Sequence, residues 1–227
     1  MIQEVLYGIS WLLLRAYALM MLRLDIARHC PLPSGPLIFV ANHPSATDPF
    51  LIHMISHKQL NVLITAKAFA VPFFGAFLRR VQEIPVPLKQ GSFALEQAQR
   101  HMDRGRSVAI FIEGLISPLE GGFNPPHSGA ARLALSSGNP VVPVGIFLRR
   151  DRCTNIRASI SGQPSQARWF LRGPYAITVG LPTRFEGDCE DREHVRRISE
   201  VIMASISRLA HESELRIRCP VSAPIPG

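Results

Sequence analysis

The sequence is poor in features that mark several large function classes. Its 227 residues include only 3 Tyr and 2 Trp, and no run of five or six consecutive Lys or Arg occurs. The interleaved basic and aromatic stripe that grips single strands is therefore missing, and nucleic acid is not an expected partner. The four cysteines, Cys30, Cys153, Cys189 and Cys219, lie far apart. Neither a CxxC redox pair nor a close-set metal knuckle can be read from them, so no metal is expected and a reduced, cytosolic environment is the simpler inference. The chain also lacks GxGxxG, the phosphate loop GxxxxGK with Ser or Thr after it, HExxH and GxSxG. Those absences remove the fingerprints of a dinucleotide site, a P-loop, a zinc peptidase and a serine nucleophile elbow.

A clean membrane span is missing as well. Residues Ile2 to Leu24 are rich in Leu, Ile, Met and aromatics, but Glu4, Arg15 and Arg23 interrupt them. A spanning helix needs about 20 mostly apolar residues, and an Arg near its centre costs several kcal/mol. A secretory signal is not expected, because there is no positive leading region and no small-residue cleavage site after Leu24. Two readings remain: an amphipathic helix lying in a membrane interface, or an ordinary helix packed on the domain.

A chain of this length fits one hydrophobic core. The formal charge of +8 gives a surface field that attracts anions, such as acidic headgroups or phosphorylated cofactors. The 19% share of charged residues is below the usual quarter, which suits a protein with some surface facing lipid.

After the turn-rich segment Pro31 to Pro36, short β-branched runs alternate with helical stretches. Expected strands are 37–41, 61–65, 84–86, 107–112, 141–147 and 176–179. Expected helices are 49–56, 72–80, 92–104, 129–137 and 191–211, the last from the helical spacing of Val195, Ile198, Val201, Ile202, Ile206 and Leu209. Such alternation predicts a layered α/β domain whose mixed, largely parallel sheet is flanked by helices. The expected division is an N-terminal membrane-associated helix over 1–30, the main domain over 31–215 and a loose tail over 216–227. The stretch from Cys153 to Gly173 reads as an irregular insertion or hairpin with little functional signal.

The most informative block is Asn42-His43-Pro44-Ser45-Ala46-Thr47-Asp48-Pro49-Phe50, between an apolar strand and an apolar helix. Strand ends are where α/β folds place ligands. Pro44 and Pro49 force a loop, in which an aspartate can fold back onto an imidazole. An imidazole with one nitrogen held by a carboxylate has a fixed tautomer, so its other nitrogen can accept a hydroxyl proton. The same residues allow a plainer reading: Asp48 as an N-cap ahead of a proline, and His43 as a strand-end residue.

The chain resembles the glycerolipid or lysophospholipid acyltransferase family from about Leu37 to Pro182. Asn42-His43 through Asp48 is similar to its NHxxxxD signature, in which the His is the base and the Asp orients it. Lys67 with Pro72 and Gly75 resembles the second block, Phe111-Ile112-Glu113-Gly114 the third, and Val141-Val142-Pro143-Val144-Gly145 the fourth. The resemblance implies an O-acyltransferase acting in membrane-lipid biosynthesis at the cytoplasmic face of a membrane, as a peripheral or monotopic protein. Membrane lipids would be its partners. Its acyl donor would be acyl-CoA or acyl carrier protein, used as co-substrate with no bound cofactor. Catalysis would fall to His43 and Asp48. Substrate binding would fall to Asn42, Lys67, Lys89, Glu113, Gly114, Arg79 and Arg132, with Arg80, Ser117, His127 and Gly129 as further candidates. Glu113 could equally brace the His43 loop.

Two departures bear on the acceptor. The family's second and third blocks usually carry an Arg that holds a phosphate, and here those positions read Leu88, beside Lys89, and Ile116. Leu and Ile cannot make the paired hydrogen bonds of a guanidinium. Either Lys89, Arg79, Arg80 or Arg132 supplies the charge from a shifted position, or the acceptor is not a phosphate monoester. The alternatives are a non-catalytic lipid-binding protein on the same fold and a thioesterase.

Overall fold

The structure is a computed structural model that describes residues 2–56, 58–160 and 163–219. Among the described residues nine strands run in chain order: β1 (Leu22–Arg28), β2 (Ile38–Ala41), β3 (Leu60–Thr65), β4 (Ile84–Val86), β5 (Ser107–Phe111), β6 (Val141–Leu148), β7 (Thr154–Ile160), β8 (Gln163–Trp169) and β9 (Gly173–Val179). The helices are α1 (Ile2–Met21), α2 (Asp48–Leu51), α3 (Ala66–Phe69), α4 (Phe74–Arg80), α5 (Gly91–Asp103), α6 (Gly129–Ser137) and α7 (Arg192–Arg218). A seven-stranded sheet has the order β1-β9-β6-β2-β5-β3-β4, and β7 and β8 form a separate antiparallel pair.

The strands from β6 to β4 in that order are mutually parallel, whereas β9 is antiparallel to β6 and β1 is parallel to β9. The sheet is therefore mixed and largely parallel, as the alternating pattern predicts. Its centre is β2, where all four residues are buried. Parallel strands covered on both faces read as unbroken apolar runs. Phe39 and Ala41 point into one cluster with Ala18, Leu51 and Ile52, while Ile38 and Val40 point into the other with Ala98, Leu133 and Ile202. The Cα–Cβ alternation of a strand makes that division.

Both ends of the chain depart from expectation. The 1–30 segment is not one helix, because α1 stops at Met21 and Leu22–Arg28 is an edge strand. Leu22, Leu24 and Ile26 alternate there with Arg23 and Asp25 on the more exposed side, which is a half-buried strand pattern. At the other end α7 continues past His211 to Arg218, so 216–218 are helical; the remainder of the expected tail, 220–227, lies outside the described residues. Polar contacts carry this extension. Ser213 donates to the Gly145 carbonyl, and Arg216 binds Asp25, Thr178 and the Ile177 carbonyl. Towards the active end, the expected 49–56 helix is split into α2 and a tighter 3-10 turn over Ile52–Ile55.

Gly145 lets α7 lie directly on β6. A Cβ at that position would collide with the backbone of Leu209 and Ala210, which cannot swing aside like a side-chain tip. We predict that Gly145→Ala costs about 1–3 kcal/mol of unfolding free energy, as overpacking does elsewhere. Urea denaturation measures it, and an unchanged midpoint would contradict so close a helix–sheet approach.

Candidate active site

The C-terminal end of β2 delivers Asn42 and His43 to the rim of the sheet. His43 Nδ1 donates to Asp48 Oδ2 at 2.9 Å. The loop closes because the Ser45 amide donates to the same oxygen at 2.7 Å, and the Tyr175 hydroxyl donates to Asp48 Oδ1 at 2.7 Å. Thr47, not Asp48, occupies the N-cap position of α2. The Asp48 carboxylate therefore faces the imidazole rather than the helix amides, and the capping reading falls away. With Nδ1 engaged by the carboxylate, Nε2 is the ring nitrogen left to act as an acceptor. The His43 side chain is 15% exposed and its ring stacks on Phe111 with centroids 4.4 Å apart.

Burial pushes the Asp48 carboxyl above its ordinary range. The hydrogen bond and charge of His43, the Ser45 amide and the Tyr175 hydroxyl pull it back down in part. Tyr175, itself buried, is held well above the usual phenol range by desolvation and by the neighbouring Asp48 charge, so it remains a donor.

Glu113, at the end of β5, is a brace. Oε1 accepts from the His43 amide at 2.9 Å and from the Ser117 hydroxyl at 2.6 Å, and Oε2 accepts from the Asn124 amide at 2.7 Å. The Ser117 amide in turn donates to the His43 carbonyl at 2.7 Å. Gly114, at φ +64°, turns the chain where an added Cβ would come within 2.8 Å of the His127 ring. His127 is thus a packing partner of that turn, its amide bound to the Ile112 carbonyl.

The other expected substrate-binding residues are scattered. Asn42 is fully buried and spends its amide on the backbone of Ile146, extending the β2–β6 ladder by one side chain, so it is scaffold. Arg79 donates to the Phe69 carbonyl and lines a cavity with Glu83, Phe93 and His101 beside β4, the far edge of the sheet. Arg132 on α6 binds the Cys189 carbonyl and Glu190, ahead of α7. Neither is gathered to the pair. Lys67, just past β3, and Lys89, just past β4, are exposed on the rim where the parallel strands end.

Four residues whose part the sequence reading passed over, Tyr175, Arg168, Phe170 and Arg150, hold the site. Tyr175, in an apolar strand, looks like ordinary core. The β8 end of the hairpin clamps the loop: the Ala46 amide donates to the Arg168 carbonyl at 2.8 Å, the Thr47 hydroxyl to the Phe170 carbonyl at 3.0 Å, and the Phe170 amide to the Ser45 hydroxyl at 2.9 Å. Arg168 also reaches the carbonyls of Pro44 and Ser117, and Arg150 those of Pro118 and Gly122. Of the two readings of 153–173, the hairpin is the one found, as the pair β7–β8, and it holds more of the site than the little signal expected of it.

A carboxylate-steered imidazole at the mouth of a mostly parallel sheet has the parts of a general-base site. A sequence profile of the Acyltransferase family matches residues 23–147. The chain belongs to that family. It is 28% identical over 117 residues to a 1-acyl-sn-glycerol-3-phosphate acyltransferase of Pseudomonas aeruginosa, covering 50% of this chain and 45% of that protein. It is 30% identical over 132 residues to a lyso-ornithine lipid O-acyltransferase of the same organism, covering 57% and 50%. The chain thus spans about half the length of the curated relatives it matches. Its fold is shared with the crystal structure of the 1-acyl-sn-glycerophosphate acyltransferase PlsC from Thermotoga maritima, at a TM-score of 0.65 and 20% identity, over 93% of this chain and 80% of that one.

Tyr175→Phe should keep the ring packing and remove one donor from a buried carboxylate. We predict a loss of about 1.5–3 kcal/mol in stability, the range for hydrogen bonds to charged groups. Because that bond lowers the Asp48 value, its removal moves the Asp48 titration to higher pH. Carboxyl-detected NMR follows the shift, and movement to lower pH would contradict the assigned bond.

Proposed function

We propose that the protein is an O-acyltransferase that moves a fatty acyl group from an acyl thioester, acyl-CoA or acyl carrier protein, to the hydroxyl of a lyso-lipid. The observation that carries the reading is the 2.9 Å contact between His43 Nδ1 and a buried Asp48, with Nε2 left for substrate. In the reaction, Nε2 takes the proton from the acceptor hydroxyl as its oxygen bonds to the thioester carbonyl carbon. The carbon–sulfur bond then breaks, and the imidazolium returns the proton to the departing sulfur, leaving an ester and a free thiol. Asp48 keeps the tautomer and stabilises the transient imidazolium. No serine or cysteine nucleophile of the protein is required.

Membrane attachment at the cytoplasmic face is part of the proposal. Among the described residues no helix is long and apolar enough to cross a membrane. Ile9, Leu12, Leu13, Leu19 and Met20 on α1 are more than half exposed, an apolar surface suited to the acyl boundary of a bilayer. β1 runs opposite to β2, so the C-terminal end of α1 arrives at the same end of the sheet as His43. Exposed Leu88 and Leu115 follow β4 and β5 at that end too. The positive net charge adds attraction to an anionic leaflet.

Leu88 and Ile116 stand where guanidinium groups hold a phosphate in the family pattern, which favours an acceptor other than a phosphate monoester. The relative named as a lyso-ornithine lipid O-acyltransferase points the same way.

Two substitutions test the chemistry. His43→Ala should lower acyl transfer by about a hundredfold to ten-thousandfold, the usual contribution of a general base, with the fold retained at the assay temperature although the melting temperature falls as Asp48 loses a donor. Turnover near that of the unsubstituted protein would overturn the assignment. Asp48→Ser removes the carboxylate from the imidazole, and transfer assayed with labelled acyl-CoA should drop sharply; full activity would leave Asp48 without its orienting role. Release of free fatty acid in the absence of any lyso-lipid would instead favour a thioesterase.

A further inference from the structure

Arg150 and Arg168 stand together over the His43 loop, and among the described residues no ion-pair partner engages either one. Arg150 sits in the 3-10 turn Arg150–Arg152 that follows β6, and Arg168 is in β8. Their guanidinium groups bind the carbonyls of neighbouring residues, Pro118 for Arg150 and Ser117 for Arg168. Arg168 also reaches the carbonyl of Pro44, next to His43, at 3.4 Å. Each is within Coulombic reach of the other, and Arg150 feels Glu113 and Asp48 as well. Among the described residues no carboxylate lies at ion-pair distance from either guanidinium, whereas Arg149, Arg196, Arg216 and Arg218 each have such a partner.

A guanidinium offers more N–H donors than these carbonyls consume. Arg168 Nε is buried and has no hydrogen-bond partner. Arg150, though not Arg168, also lines an open groove of about 1010 Å³ between the 119–123 loop, the end of β6 and α7. Burial lowers the Arg150 value from its ordinary range, so its charge is carried at some cost in the unliganded protein. Glu113 and Asp48 act on Arg150 only through space, their oxygens being engaged by three N–H or O–H donors each.

We propose that Arg150 and Arg168 form the binding site for the singly charged oxyanion of the acceptor headgroup, a phosphodiester or a carboxylate. The identification of the ligand as the acceptor rests on the acyltransferase reading above. The two buried carboxylates limit the surplus positive charge, which favours a monoanion over the dianionic phosphate monoester. Planar, paired N–H groups suit either oxyanion. The site lies beside the loop that would otherwise carry an arginine at position 116, since Ser117 and Pro118 supply the carbonyls that seat it. An acceptor anchored there has its headgroup beside Pro44, the neighbour of the imidazole-bearing residue.

The test is a binding measurement that needs no turnover. In a His43→Ala, Trp11→Phe background, Trp169 is the remaining tryptophan and adjoins Arg168, so its fluorescence reports occupancy. The probes are three soluble short-chain acceptors of equal chain length: a lyso-phosphatidylglycerol, a lyso-aminolipid with a free carboxylate, and an uncharged monoacylglycerol. Arg150→Gln and Arg168→Gln should each weaken a charged probe about tenfold, the loss of one charge-assisted hydrogen bond. The uncharged probe should be unaffected, and the charged probe that suffers the loss names the oxyanion. Equal weakening of all three probes, or of none, would overturn the site. Should Arg168→Gln fail to fold, Arg168→Lys is read in its place: it keeps a charge but loses the fork, and should weaken charged probes alone. Absence of acyl transfer by the unsubstituted protein would sink the enzymatic reading while leaving this binding result to stand or fall separately.

Discussion

The arrangement depends on one buried carboxylate. Asp48 has no exposed surface, yet it is kept as an acceptor by three donors, two from its own loop, the Ser45 amide and the imidazole it steers, and one from a tyrosine on β9. A desolvated anion is tolerated only when such donors replace water. Everything around it serves that replacement. β9 has to lie beside β6 so that Tyr175 can reach across, and the hairpin must dock so that the Ser45 to Asp48 turn keeps its shape. Glu113 repeats the solution one strand over, where a second buried carboxylate binds the other side of the His43 backbone.

The order of the sheet makes this possible. Five parallel strands put the β2 and β5 ends side by side, which sets Glu113 against the His43 amide. Reversal at β9 and β1 then returns the chain to the same rim, bringing Tyr175 and the end of α1 with it. An all-parallel continuation would have sent those residues to the opposite end.

Much of the fold was legible because buried parallel strands are nearly unbroken runs of apolar and β-branched residues, and the spacing of the HxxxxD block places its two members in one loop. What escaped had physical reasons. β1 follows an apolar helix without a breaker, so its two-residue alternation was absorbed into the helical segment. The last turns of α7 are pinned by Ser213 and Arg216 rather than by apolar packing, and a hydrophobic period cannot register hydrogen bonds. The hairpin grips the active loop mainly through backbone groups of Arg168 and Phe170, which leave no mark in residue type. Tyr175 escaped because one hydroxyl in an apolar strand looks like packing until its partner is known. Arg79 and Arg132 went the other way: they have the right chemistry, and the fold spends it elsewhere.

The Tyr175–Asp48 bond joins residues 127 positions apart in the chain. A ribosome releasing this polypeptide would have synthesised the histidine and its aspartate long before the phenol that completes their surroundings. A nascent or truncated chain that ends ahead of β9 carries the whole signature block and still lacks one of the three donors that hold its aspartate. The surroundings of the pair are thereby completed only once the central layer has closed.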